Sequence, residues 1–191
     1  MGMNDTNSHF SIQASNPRTL IRYDANDTTL SEAIQTVFPL ETEHAIMSWN
    51  WIYVPLSYKY DLSMMIDDII ALANDVLSSP QGSRTIHWPS NTFASLWTID
   101  WTHPNITVEA EWTSVVGDTE SMLSARSKVT MGAVDFVEEW KQPLELIMGS
   151  LTSAGYGASL LGMDRLLAVV GRIGRPGILY REEHAGSGVI G

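Results

Sequence analysis

The sequence predicts an α+β fold, in which an antiparallel meander sheet of about five strands carries amphipathic helices packed on one face. Two patterns support this prediction. Between residues 84 and 131, apolar residues alternate with polar ones, as they do on strands with one buried face. Elsewhere, apolar residues recur at helical spacing. The length suits one domain, which we place at 19–170, between a flexible leader at 1–18 and a flexible tail at 171–191.

Four strands of the meander follow from the alternation. Segments rich in turn-forming residues separate them at 89–92, 102–105 and 117–120. The lengths of these loops predict a register in which core-facing residues pair with core-facing residues. The pairs next to the loops are Trp88–Phe93, Trp101–Ile106 and Val116–Ser121. The inward residues of the four strands are Ile86 and Trp88; Phe93, Trp97, Ile99 and Trp101; Ile106, Val108, Ala110 and Trp112; Leu123, Ala125, Val129 and Met131.

Two further strands are predicted before the meander. A short edge strand covers 19–23. A longer strand covers 44–56, with Ile46, Ile52 and Val54 on one face and Met47, Trp49, Trp51 and Tyr53 on the other. A strand that is apolar on both faces is expected in the interior of a sheet or in an interface.

Two helices are predicted in the first half of the chain. Thr29 or Ser31 caps a short helix that ends near Val37. The second covers about 61–77, and its N-terminal carboxylate, Asp61, is favoured by the helix dipole. Its apolar stripe consists of Leu62, Ile66, Ile69, Ile70, Ala73 and Leu77.

Two more helices follow the meander. The first covers about 133–151, and we expect a kink or a restart at Pro143, which cannot donate a backbone hydrogen bond. The second covers 159–170 and is apolar around almost its whole circumference. Such a helix is either buried or in contact with another chain.

Charge and composition exclude several classes of protein. The formal net charge of −11 argues against a general nucleic-acid binder and is compatible with a basic protein partner, although many cytosolic proteins are acidic. The absence of cysteine excludes a disulfide framework and thiol chemistry. No apolar run approaches the roughly 20 residues of a membrane helix, and no secretory signal precedes the domain. We therefore predict a cytoplasmic protein.

No catalytic motif is found. The chain lacks a nucleophile elbow, a phosphate-binding glycine loop and a dinucleotide fingerprint, so no catalytic residue and no cofactor is predicted. The five histidines do not have the close helical spacing of a zinc motif. His87, His103 and Asp100 lie near predicted sheet ends and could meet in space. They are more simply explained as solvated or core-edge residues, and no metal site is predicted.

Glu109 and Glu111 project from the wet face of one strand, as a pair of catalytic carboxylates would. The predicted register places Glu109 opposite Lys128 and Glu111 opposite Arg126. Cross-strand ion pairs therefore explain these charges without catalysis.

Asp67, Asp68 and Asp75 lie opposite the apolar stripe of the helix at 61–77 and have no lysine at helical spacing. The carboxylates of the 133–151 helix, in contrast, have Lys141 beside them. The first group is either an ordinary solvated face or a docking surface for a basic protein, where complementary charge accelerates association.

Five of the seven tryptophans fall on predicted core faces. Trp49 and Trp51 flank Asn50 on the strand with two apolar faces. Aromatic residues that a small core cannot hold are typical anchors of an interface. These two are interpreted either as core residues or as a contact with a partner.

The layout resembles that of immunity proteins from bacterial toxin systems. The resemblance covers the acidic helix entered through the sequence Tyr-Lys-Tyr-Asp at 58–61, the tryptophan-bearing meander, and the Phe-Val-Glu-Glu-Trp helix at 136–140. It implies a protein that binds a cognate toxin domain and blocks it, often with an acidic surface against a basic nuclease. It assigns no role to particular residues.

Three functional hypotheses follow. The first is a non-catalytic protein that neutralises a basic partner through Asp67, Asp68, Asp75, Trp49 and Trp51. The second is a structural subunit that assembles with copies of itself through 159–170. The third is a small-molecule enzyme with a pocket near His87 and His103. Fold alone does not decide between them.

Overall fold

Within residues 8–174, which the computed structural model describes, strands and helices alternate in an α+β arrangement. The strands are β1 (Phe10–Gln13), β2 (His44–Trp49), β3 (Ile52–Ser57), β4 (Gln81–Pro89), β5 (Phe93–Thr102), β6 (Asn105–Val115) and β7 (Lys128–Gly132). The helices are α1 (Leu30–Val37), α2 (Ser63–Ser78), α3 (Glu120–Ser124), α4 (Ala133–Glu139), α5 (Lys141–Ala154) and α6 (Met163–Arg172). The predicted fold class is confirmed, but one sheet of about five strands is corrected to two antiparallel sheets, β1-β2-β3 and β4-β5-β6-β7.

The four-stranded sheet is the predicted meander. Trp101 lies opposite Ile106, as the turn at 102–105 predicts. Trp88 lies opposite Ser95 instead of Phe93. The register differs from the predicted one by two residues, and because a shift of two keeps every side chain on its face, the inward residues still meet inward residues.

The connection from β6 to β7 differs from the predicted hairpin. Residues 120–124 form the short helix α3, and β7 begins only at Lys128. The Glu120 carboxylate accepts a hydrogen bond from the Val115 backbone N–H at 2.6 Å, which ends the strand and leads into the helix. Glu109 does lie opposite Lys128, but the predicted pairing of Glu111 with Arg126 is wrong because the ladder stops before it reaches them.

The predicted strand at 44–56 is a hairpin of two strands, β2 and β3. Asn50 and Trp51 connect them with φ angles of 48° and 71°. A two-residue connection with positive φ at both positions matches the right-handed twist of the flanking strands. The inward residues are odd-numbered in β2 and even-numbered in β3, which explains why a single strand would be apolar on both faces.

The third strand of the smaller sheet, β1, lies within the predicted leader. Phe10 pairs opposite Trp49 and is buried, as is Ile12. The flexible leader is therefore corrected for 10–13, because two apolar residues at alternate positions are enough to add a strand to β2. The predicted edge strand at 19–23 is absent, since its apolar residues Leu20 and Ile21 are exposed and have no core to face.

The helices match the prediction more closely. Thr29 caps α1 in a capping box with Glu32, and α2 runs to Ser78 behind a π-helical turn at Tyr58–Leu62. The predicted restart near Pro143 is confirmed: α4 ends at Glu139, and Pro143 lies in the first turn of α5, where its missing N–H is tolerated.

Aromatic side chains fill the core between the two sheets. The Trp49 ring lies 5.2 Å from both the Trp97 and the Trp112 rings, and Phe10 stacks on Phe136 of α4 at 4.7 Å. Each such pair contributes about 0.5–1.5 kcal/mol beyond its burial. The two sheets therefore meet through aromatic residues of β1 and β2, and the Trp49 contacts hold the β2–β3 hairpin against the larger sheet.

Asp61 is fully buried before α2, in the π-helical turn. Its carboxylate accepts hydrogen bonds from the Ser57 backbone N–H and from the hydroxyls of Ser90 and Thr92. Three donors satisfy a carboxylate that would otherwise be costly to bury. Asp61 therefore fastens the start of α2 to the turn between β4 and β5.

Candidate binding site

Two of the three carboxylates in the predicted acidic surface on α2 are paired with arginines from other elements. Arg165 of α6 donates to the Asp67 carboxylate at 2.8 Å, and Arg84 of β4 lies 3.0 Å from that of Asp75. Burial raises the pKa of Asp68, while Arg84 opposes the shift and Asp67 adds to it. The interpretation of these residues as an uncompensated patch is corrected, because helical spacing does not register charges that arrive from distant parts of the chain.

The histidines of the enzyme hypothesis do not converge. His87 lies on the solvent-facing side of β4 opposite Leu96, whereas Asp100 pairs opposite Ser83. Four residues along a strand separate those rows by about 13 Å. His103 lies at the same end of the sheet as Asp100, with which it lines a cleft, and its ring is hydrogen-bonded to the Val76 carbonyl at 2.9 Å.

The stretch 159–170 does not form one apolar helix. Residues 159–161 precede α6, so that Leu160 and Leu161 are not on its surface. Leu166 and Val169 of α6 are buried within the same chain, and Leu167 is exposed. The apolar residues that suggested a contact with another copy are therefore largely accounted for by the protein's own core.

Trp49 and Trp51 have opposite environments. Trp49 is fully buried, and its indole N–H donates to the Arg126 carbonyl at 2.8 Å. Trp51 is 53% exposed, while each of the other six tryptophans is less than one-tenth exposed. The predicted partner contact therefore combined one core residue, Trp49, with one surface residue, Trp51.

A cleft of about 430 Å³ lies beside Trp51, where the hairpin tip meets the outer edge of β7. The Asn50 amide donates to the carbonyls of Arg126 and Lys128 at 2.8 and 2.9 Å. The Thr130 backbone N–H donates to the Ser8 hydroxyl on the same edge. The cleft is lined by Ser8, Asn50, Trp51, Ala125, Arg126, Ser127 and Lys128.

The Trp51 side chain is held in place on this cleft. Its ring stacks on His9 with the centroids 3.8 Å apart and the planes 7° from parallel. Asn50 exchanges hydrogen bonds with His9, and the Arg126 guanidinium donates to the Asn50 carbonyl at 3.0 Å. A tryptophan in the left-handed region is sterically unfavourable, so the surrounding bonds must hold it there.

The outer face of the three-stranded sheet continues the exposed apolar surface. Tyr53 is 68% exposed and lies opposite Ser48, and Ile46 lies opposite Pro55 on the same face. We call Trp51, Tyr53, Ile46 and the adjoining cleft the Trp51 surface. It lies on the β7 side of the four-stranded sheet, whereas Asp75 contacts Arg84 of β4 at the opposite edge. The two halves of the predicted partner surface are therefore separate.

Three parts of this site were missed in the sequence: the turn at Asn50, the β1 flank with His9, and the cations Arg126 and Lys128. The change from odd to even inward positions within 44–56 was the available signal for the turn. The others had no local signal, because long-range packing brings them to the hairpin.

Comparison of the chain with protein-family models found no match, and comparisons with curated proteins and with solved structures found no significant similarity. Across residues 8–174, no helix combines the length and apolar character needed to cross a membrane. The same residues contain no group of three histidines or carboxylates suited to a metal ion. Among the described residues, the Trp51 surface is the feature whose geometry points to a function.

Proposed function

We propose that this protein is a non-catalytic binding protein whose protein partner docks on the Trp51 surface. The observation that carries the proposal is the exposed Trp51, held in a left-handed backbone conformation at the tip of a hydrogen-bonded hairpin. Strained residues persist only where the surroundings impose them, and they cluster at functional sites. Glycine would form the same turn without strain, so the indole ring is explained better by binding than by stability.

Exposed aromatic residues on a rigid support have the properties of interface anchors. Trp51 lies at the hairpin tip and Tyr53 lies two residues further along in β3, and the inner face of that hairpin is anchored by the fully buried Trp49. Tryptophan and tyrosine are enriched among the residues that dominate binding energy. Because the hairpin is already ordered, little conformational entropy is lost when a partner binds.

Neutralisation of a toxin domain is the role that we propose for this binding. The support is the resemblance in layout to immunity proteins together with the net charge of −11, which steers an oppositely charged protein towards the molecule. Because Asp67 and Asp75 are paired with arginines, that long-range field comes from the excess of carboxylates over the whole chain and not from α2 in particular.

Affinity capture from native cell extract tests the proposal with matched variants. Trp51→Ala and Tyr53→Ala remove exposed aromatic rings from the Trp51 surface, while Tyr23→Ala removes a ring of similar exposure outside it. We expect a stoichiometric partner with the wild type and with Tyr23→Ala, and a strong loss with Trp51→Ala. Equal capture of that partner by Trp51→Ala would overturn the proposal.

A further inference from the structure

We propose that the cleft beside Trp51 receives a carboxylate side chain, glutamate or aspartate, from the protein partner. This inference rests on the proposed function and adds the chemistry of the contact. It is not the contact that the net charge suggests, since an acidic protein is expected to offer carboxylates to its partner rather than to accept them.

The charges that line the cleft are the first argument. Arg126 and Lys128 are both exposed, and neither forms an ion pair within the described part of the chain. No aspartate or glutamate lines the cleft. Acidic residues outnumber basic ones by 22 to 11. Glu109 lies opposite Lys128 in the sheet but does not line the cleft, so on the cleft side the two neighbouring cations form a local site for an anion.

The position of Arg126 is the second argument. One terminal nitrogen of its guanidinium donates to the Asn50 carbonyl, which tethers the group at the cleft that it lines. No other N–H group of the Arg126 side chain donates to a side chain or carbonyl within residues 8–174, so these donors remain available to a ligand. A planar guanidinium matches the two oxygens of a carboxylate, and such charge-assisted bonds are about twice as strong as neutral ones.

The ring of Trp51 supplies the apolar part of the site. The methylene groups that precede a carboxylate, or an apolar neighbour in the partner's chain, can pack against the exposed face of the indole. The cleft therefore offers one apolar wall and two cations, which is the chemistry of an acidic side chain on a protein surface.

A nucleic acid fits the same cleft less well. Ser127 also borders a second cleft, which is lined by Glu109 and Glu111. Affinity for a phosphate backbone grows with the number of phosphates that are neutralised. The two cations can accept one anionic group, but Glu109 and Glu111 on the neighbouring cleft would repel the next phosphate along a strand.

The test uses the full-length protein labelled with 5-fluorotryptophan and observed by fluorine NMR. The signal of Trp51 is assigned by its loss in Trp51→Phe. The probes are a blocked peptide with one glutamate between two leucines, its glutamine counterpart, and a short thymidine oligonucleotide. We expect the glutamate peptide to shift the Trp51 signal saturably, with weak affinity that decreases as salt is added.

Two variants separate charge from structure. Lys128→Gln removes a cation whose side chain makes no hydrogen bond to any residue of 8–174, and we expect it to weaken peptide binding about tenfold. Arg126→Lys keeps the charge but loses the planar fork, and we expect a smaller loss. Equal shifts with the glutamine peptide, no shift with either peptide, or tighter binding of the oligonucleotide would each overturn the inference.

Failure of this inference is distinguishable from failure of the proposed function. If Trp51→Ala abolishes partner capture while Lys128→Gln and Arg126→Lys leave it unchanged, the partner docks there without a carboxylate in the cleft. If Trp51→Ala leaves capture unchanged, the docking surface itself is wrong.

Discussion

The acidic face of α2 and the tip of the β2–β3 hairpin present two kinds of surface. On α2, Asp67 and Asp75 are each paired with an arginine from another element, so the charges that stand out in the sequence are satisfied in the fold. At the hairpin, Trp51 is exposed, and Arg126 and Lys128 form no ion pair with any residue of 8–174. A surface is available for binding when the fold leaves its groups unsatisfied, whatever its composition.

Alanine substitution of the two hairpin tryptophans tests the comparison most strongly. Trp49→Ala leaves a large cavity in the aromatic core, and we expect it to lower the free energy of unfolding by about 3–5 kcal/mol. Trp51→Ala removes a half-exposed ring stacked on His9, and we expect a loss of about 1 kcal/mol or less. Urea unfolding measures both. Equal losses would make Trp51 a structural residue and remove its distinction from Trp49.

Glycine at position 51 separates stability from binding. Because φ is positive there, Trp51→Gly should be about 1 kcal/mol more stable than Trp51→Ala, while still losing the partner. Tyr53 lies in a strand, so the same pair of substitutions at that position should favour alanine instead. Thermal unfolding of the four variants gives the comparison. If the alanine variant were more stable than the glycine variant at both positions, the backbone at Trp51 would not be strained.

Asp67→Asn examines the neutralised face. Both partners of the Asp67–Arg165 pair are about half exposed, so we expect a loss of no more than about 1 kcal/mol, which disappears at high salt. Partner capture should be unchanged. A marked reduction in capture would instead restore α2 as a docking surface, and Arg165→Gln serves as the control for loss of the ion pair alone.

Asp68→Asn should change the free energy of unfolding least, and the direction of the change should depend on pH. Because burial raises the pKa of Asp68 above 3.8, the folded protein binds this proton more tightly than the unfolded chain does. The stability that Asp68 contributes therefore falls as the pH rises from its unfolded-state pKa through its higher folded-state pKa. The variant should be slightly more stable than the wild type at neutral pH and should lose that advantage in acid. Unfolding followed between pH 3 and 7 checks the sign.

The parts of the fold that the sequence predicted are those with local causes. The capping box of α1, the stripe of α2 and the turn between β5 and β6 depend on residues within a few positions of one another. In contrast, β1 exists because Phe10 reaches a core built from distant segments. Its two apolar residues have too short a pattern to predict a strand.

The candidate site was predicted only in part for the same reason. Trp51 was identified, but its turn was not, because a tryptophan at positive φ contradicts the usual preference for glycine. The partners of Asp67 and Asp75 come from 98 and 9 positions away along the chain, at Arg165 and Arg84. Neither separation corresponds to a helical neighbour, so charge patterning along α2 could not reveal them.

The side chains that cover the outer edge of β7 have a consequence for solubility. Asn50 and Ser8 occupy a backbone carbonyl and a backbone N–H that a strand from a neighbouring molecule would otherwise use. A covered edge cannot act as a template for intermolecular sheet growth. We therefore expect the residues that hold the hairpin tip also to limit aggregation through this edge, because they occupy backbone groups that a further strand would need.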